Sequence, residues 1–134
     1  MNKKRILELL EDFRCSLLGL EEALKGGPEK QILFMDGTLR RYLISFDLAW
    51  KLLKGILRSR GTDVEGLKEV IHESASLHLI GEEVIWMEML NDRNRVLYAC
   101  EDKEIRVSYN RIKNQYYPNL VKLKNKIKEL LVEE

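Results

Sequence analysis

At 134 residues the chain is long enough for one domain with a real core, and it balances Lys+Arg 23 against Asp+Glu 22 for a net charge of +1. So even a balance creates no overall field to gather DNA or an anionic membrane, which leaves nucleic acid only a local patch to bind. The two cysteines, Cys15 and Cys100, lie far apart without metal-ligand spacing, and the expected setting is the reducing cytoplasm.

The basic start "MNKKRILELLEDF" is interrupted at once by acids, so it does not read as a signal peptide. No apolar run is long enough to span a bilayer, and no membrane association is expected. The apolar period is helical nearly throughout, which predicts an all-α domain over residues 1–134. Ile6, Leu9, Leu10, Phe13, Leu17, Leu20 and Leu24 form the stripe of a first helix, ended by "KGGP". A second, longer helix is expected from about Gln31 to Arg60, with Asp36-Gly37 able to break its first turns. Gly61 reads as its C-terminal cap. Thr62 followed by Glu65 reads as a capping box opening a third helix that reaches Leu79.

Gly81 separates this from a fourth helix beginning at Glu82 and Glu83. A fifth runs from near Asp102 with Ile105, Tyr109, Ile112, Tyr116, Leu120, Leu123, Ile127 and Leu130 on one face. Pro118 should kink this helix rather than end it, because the stripe resumes in phase. Short connections favour an up-and-down bundle of four or five helices. On the second helix Arg40, Asp47, Lys51, Lys54 and Arg58 occupy a sector of roughly 60°. So narrow a polar band predicts burial on more than one side, and hence a homodimer.

The candidate chemistry lies in "NDRNRVLYACED", Asn91 to Asp102. If Trp86, Met89, Leu90, Val96, Leu97 and Cys100 make the apolar face of the fourth helix, Arg93 falls near its middle. A guanidinium there must be paired, hydrogen-bonded or used. One reading is a structural arginine paired with Asp47 or Glu88. The other places it to meet a phosphate in a cleft between helices or subunits, with Asn94 and Tyr98 one turn apart as hydrogen-bond partners. The basic band, Lys51 included, would supply the rest of the pocket. No metal site is expected from His72 and His78, which are six apart. Tyr116 and Tyr117 read as core, and no phosphate loop or catalytic triad can be assembled.

Several of these segments resemble one family. "RRYLISFDLAWKLLKGILRSRG", with its core Phe46-Asp47-Leu48-Ala49-Trp50-Lys51, is similar to a helix of the nucleotidyltransferase substrate-binding proteins. "GLKEVIHESASLHLIGEEVIWMEMLNDRN" resembles the stretch that follows it and ends in the signature Asp92-Arg93-Asn94. "YYPNL", Tyr116 to Leu120, sits where the family often has a tyrosine and a proline. The likeness runs from about Arg40 to Leu123.

The resemblance implies a HEPN-like helical bundle, usually a homodimer, acting with a separately encoded minimal nucleotidyltransferase. Some relatives are ribonuclease toxins antagonised by that partner, in which an arginine and a histidine of an Arg-x(4–6)-His pattern meet across the dimer cleft. Here the arginine and asparagine are kept as Arg93 and Asn94, but Tyr98 stands at the histidine position and Cys100 where a tyrosine often follows. Tyrosine is a poor proton acceptor near neutral pH, so the usual RNA cleavage is disfavoured. The expected function is therefore a non-catalytic, cofactor-free subunit that binds a nucleotide through Arg93, Asn94, Tyr98, Asp47 and Lys51. The alternative is a divergent HEPN ribonuclease toxin acting on RNA with Arg93 and Tyr98.

Overall fold

The computed structural model describes residues 2–25 and 32–133, and among them every regular element is helical. The elements are α1 (Lys3–Leu24), α2 (Ile32–Ser59), α3 (Leu67–Ser76), α4 (Glu83–Leu97), α5 (Asp102–Arg111) and α6 (Tyr117–Glu133). A single π-turn, Ile112–Tyr116, joins α5 to α6 without a break in the helical path. The chain is an all-α bundle.

Helix α1 forms because its apolar residues recur at three and four, and because Asn2 caps it by accepting the Arg5 N–H at 2.8 Å. The expected stripe is the buried one: Ile6, Leu9, Phe13, Leu17, Leu20 and Leu24. Most of "KGGP" lies outside the described residues. Helix α2 is the centre of the molecule and touches each of the other helices. Twelve of its residues are buried, from Met35 to Leu57. Asp36-Gly37 does not break it, since the helix begins at Ile32 and runs through both.

Gly61 caps α2 as expected. It has φ 88°, and the Thr62 and Gly61 amides donate to Leu57 and Arg58 carbonyls at 2.9 and 3.1 Å. This is the paired-bond closure that a left-handed residue makes possible. The same closure ends α3, but with His78 in the left-handed position at φ 59°. Leu79 and His78 amides donate to Ser74 and Ala75 carbonyls at 2.8 and 3.0 Å. His78 is exposed. A histidine pays a steric penalty there that glycine avoids. His78→Gly is accordingly expected to stabilise the fold by about 0.5–1 kcal/mol, read as a higher urea midpoint at unchanged slope.

The capping box expected at Thr62 and Glu65 does not open α3, which starts at Leu67 after Gly66. Glu65 turns back to α2, where it lies 2.9 Å from Lys54 Nζ and 3.6 Å from Arg58, while Asp63 meets Arg58 at 3.3 Å. Two cations on the end of α2 outcompete the helix start for these acids. Much of the basic band is thereby neutralised within the chain, since Lys51 also pairs with Asp47 at 3.0 Å.

Pro118 does not end the last rod, as expected, and a π-turn stands just before it. The Tyr117 amide donates to the Ile112 carbonyl, one residue further back than in an α-helix. Proline offers no N–H to the ladder, and a wider turn just before it absorbs the defect. The apolar stripe stays in register, with Tyr109, Ile112, Tyr116, Leu120, Leu123 and Ile127 all buried.

Candidate functional site

Helix α4 carries the site, and its orientation differs from the one its periodicity suggested. The residues it buries are Trp86, Met89, Asp92 and Val96. Leu97 is 51% exposed, Val84 70% and Tyr98 74%. The inward face is centred about one residue earlier than the apolar pattern implies, so Asp92 points into the protein and Arg93 points out. The reason is pairing. Spacings of three from Met89 and four to Val96 place position 92 or 93 on the inner face equally well, and Asp92 has partners there.

Asp92 is 5% exposed and holds three groups. Arg111 Nη1 lies 3.2 Å from each of its oxygens, Tyr116 Oη donates to Oδ2 at 3.0 Å, and Arg95 Nη1 approaches Oδ1 at 3.3 Å. The π-turn helps to bring the two partners round: its five-residue repeat returns Tyr116 to the side that Arg111 occupies. Below them the Tyr42 ring of α2 stacks on Tyr116, centroids 5.6 Å apart. α4 is thus clamped to the joint of α5 and α6 by a charge that is both buried and fully hydrogen-bonded.

Burial, followed by the Asp92 charge, pushes the Tyr116 phenol well above its usual range. Burial, followed by Tyr116 and then Asp92, does the same to Tyr42. Both phenols therefore keep their protons in the folded state where the unfolded chain has lost them, above about pH 10. Their contribution is complete below that pH and is lost as pH climbs from there towards the folded values. Urea midpoints should fall above about pH 10, and Tyr42→Phe should flatten that fall. An unchanged alkaline slope in this variant would argue against a buried, protonated Tyr42.

The residues expected to bind an anion are placed as follows. Arg93 and Asn94 are exposed on the last turn and a half of α4, and Tyr98 ends that helix. The Arg93 side chain makes no ion pair or hydrogen bond among the described residues, so neither Asp47 nor Glu88 is its partner. Its exposure removes the premise that a buried guanidinium demands an explanation. Asp47 and Lys51 pair with each other on α2, and among the described residues no hydrogen bond or ion pair joins them to Arg93, Asn94 or Tyr98. Beside this end of α4, a recess of about 410 Å³ runs between Val96 and Leu97 and the α2 residues Asp36, Arg40 and Leu43.

A different pocket lies on the opposite flank of α4. It has a volume of about 370 Å³, with Asp92, Arg111 and Tyr116 at its base and Glu88, Asn91, Arg95 and Gln115 around it. Sequence reasoning missed it, although one signal was present: an acid, Asp92, spaced three from Met89 and four from Val96. No group of three or more metal-binding side chains occurs among the described residues, and none of their helices is long and apolar enough to cross a membrane.

Among curated proteins none matches the chain closely enough to count as a relative. The family described as nucleotidyltransferase substrate binding protein like matches residues 8–129, a span that takes in all of α4, the clamp and the π-turn. The chain belongs to that family.

Proposed function

We propose that this protein is the non-catalytic, substrate-binding subunit of a two-protein system, presenting a nucleotide or a nucleotide-containing acceptor to a separately encoded minimal nucleotidyltransferase. The observation that carries this is the end of α4. A guanidinium, a carboxamide and a phenol, from Arg93, Asn94 and Tyr98, are exposed near that end, with no ion-pair or hydrogen-bond partner among the described residues. Arginine meets phosphate oxygens with paired N–H donors, and the other two add hydrogen bonds. The neighbouring Asp92 clamp holds the backbone that presents them, which lowers the ordering cost of binding.

The protein works as a homodimer in this reading. Leu33 and Leu97 line the recess between α2 and α4 and are large and exposed, as are Ile44 on α2 and Tyr98 at the end of α4. A second copy covering them would give the half-polar band of α2 its missing partner and bring two Arg93 side chains towards one cleft. Asp47 and Lys51 would line that cleft as an ion pair rather than as free charges.

The test is to isolate the complex from the native cell extract and measure nucleotide binding to it with wild-type and Arg93→Ala subunits. A small nucleotidyltransferase recovered in near-equal amount, with the contribution of the phosphates to nucleotide affinity weakened in the variant, is the expected result. Recovery of the homodimer alone, with RNA cleavage that depends on Arg93 and Tyr98, would replace this reading with the divergent ribonuclease.

A further inference from the structure

The pocket on the far flank of α4 is chemically unlike the Arg93 surface. Its ionic lining is two acids, Glu88 and Asp92, and two arginines, Arg95 and Arg111, so it carries no formal charge overall. That argues against a free phosphate or a cation as its main ligand. Asp92 is saturated by three partners and serves as the floor. The groups left unengaged are of mixed kind. Glu88 offers only acceptors, the carboxamides of Asn91 and Gln115 offer both donors and acceptors, and the remaining guanidinium N–H groups of Arg95 and Arg111 offer only donors. None of the Glu88, Asn91 or Gln115 side chains is hydrogen-bonded to a described residue.

From this lining we infer a binding site for the base of a purine nucleoside. A purine edge alternates ring nitrogens with amino or carbonyl groups. Carboxamides pair two-fold with the amino and ring-nitrogen pattern of adenine, arginine pairs with the carbonyl and ring nitrogen of guanine, and a carboxylate accepts from exocyclic or ring N–H donors. The half-exposed Arg95 can also lay its guanidinium plane against a base. A volume of about 370 Å³ lies in the range of small-molecule sites and suits a base with part of its ribose. The site is also pre-organised. Gln115 belongs to the π-turn, Asn91 and Arg95 are one turn apart on α4, and the Asp92 clamp locks those two elements together. π-Turns are found frequently at functional positions.

This inference rests on the reading of the protein as a nucleotide-binding subunit, but not on Arg93. Asn91 and Arg93 lie about 200° apart around α4, so a base in this pocket and a phosphate on Arg93 occupy separate surfaces. The experiment uses the full-length protein titrated by calorimetry with adenosine, guanosine, ribose 5-phosphate and ATP. The same titrations are made on Asn91→Ala/Gln115→Ala and on Arg93→Ala. Both carboxamides are exposed, so the double variant should melt like the parent.

Saturable binding of adenosine or guanosine, weakened about tenfold or more in the double variant and unchanged in Arg93→Ala, is the expected outcome. Equal binding of ribose 5-phosphate would overturn it, as would nucleoside binding indifferent to the double variant. Binding of ATP that depends on Arg93, with no nucleoside binding, would sink this pocket while leaving the proposed function standing. Failure of every ligand would remove both.

Discussion

Arg111→Met is expected to lower stability by about 3 kcal/mol, which for a chain of this size is a fall in melting temperature of about 10 °C. The cause is the carboxylate left behind. Asp92 is 5% exposed, so without Arg111 its charge stays buried with only Tyr116 and the half-exposed Arg95 to hold it. The reverse change is milder. In Asp92→Asn the arginines, with side chains 39% and 59% exposed, turn to water, and the amide oxygen can still accept from Tyr116. A loss of about 1–2 kcal/mol is expected there.

The double variant Asp92→Leu/Arg111→Met discriminates a clamp from ordinary packing. Replacing both charges removes the unpaired group, so the pair should recover much of what Arg111→Met alone loses. Strict additivity in chemical denaturation, with the double variant the least stable of the set, would show that the ion pair is not the source of the effect.

Arg93→Ala, one residue further along the same helix, is expected to behave in the opposite way. Its side chain is exposed and unpaired among the described residues, so the melting temperature should move by no more than about 0.5 kcal/mol of stability would imply. Nucleotide affinity should fall about 10- to 100-fold, the cost of one or two charge-assisted hydrogen bonds. Arg93→Lys should restore only part of this, since an ammonium keeps the charge but not the paired donors. A variant that loses stability and keeps its affinity would make Arg93 a structural residue after all. The contrast between positions 92 and 93 is therefore the sharpest test of the proposal: the Asp92 side chain is buried and paired, whereas its neighbour Arg93 is exposed and open to a ligand.

Tyr98 separates the binding reading from the ribonuclease reading. It ends α4 and is 74% exposed, with no acid or base hydrogen-bonded to its hydroxyl among the described residues. General acid–base catalysis needs a group that exchanges its proton near the working pH, which a phenol as a class does not. As a hydrogen-bond donor to phosphate it needs no such exchange.

Apolar periodicity was enough to give the helical class, the positions of most helices and their inward faces. It could do so because α1, α2 and the α5–α6 rod obey a simple rule: apolar residues recur at three and four and turn inward, as with Phe13, Tyr42, Tyr109 and Leu120. Gly61 was legible for a similar reason, since a left-handed cap has a strong residue preference. The rule fails on α4 in both directions, because Val84 and Leu97 are exposed while Asp92 is buried. Only the tertiary structure could decide that rotation. Asp92 goes inward because Arg111 and Tyr116 reach it from a helix about twenty residues later in the chain, by way of a π-turn that no local pattern announces. Glu65 illustrates the same limit on a smaller scale, having left its expected helix start for cations on α2. Local periodicity reads the energy of burying apolar surface, whereas a buried charge is placed by partners distant in sequence, and here those partners determined which side of α4 faces solvent.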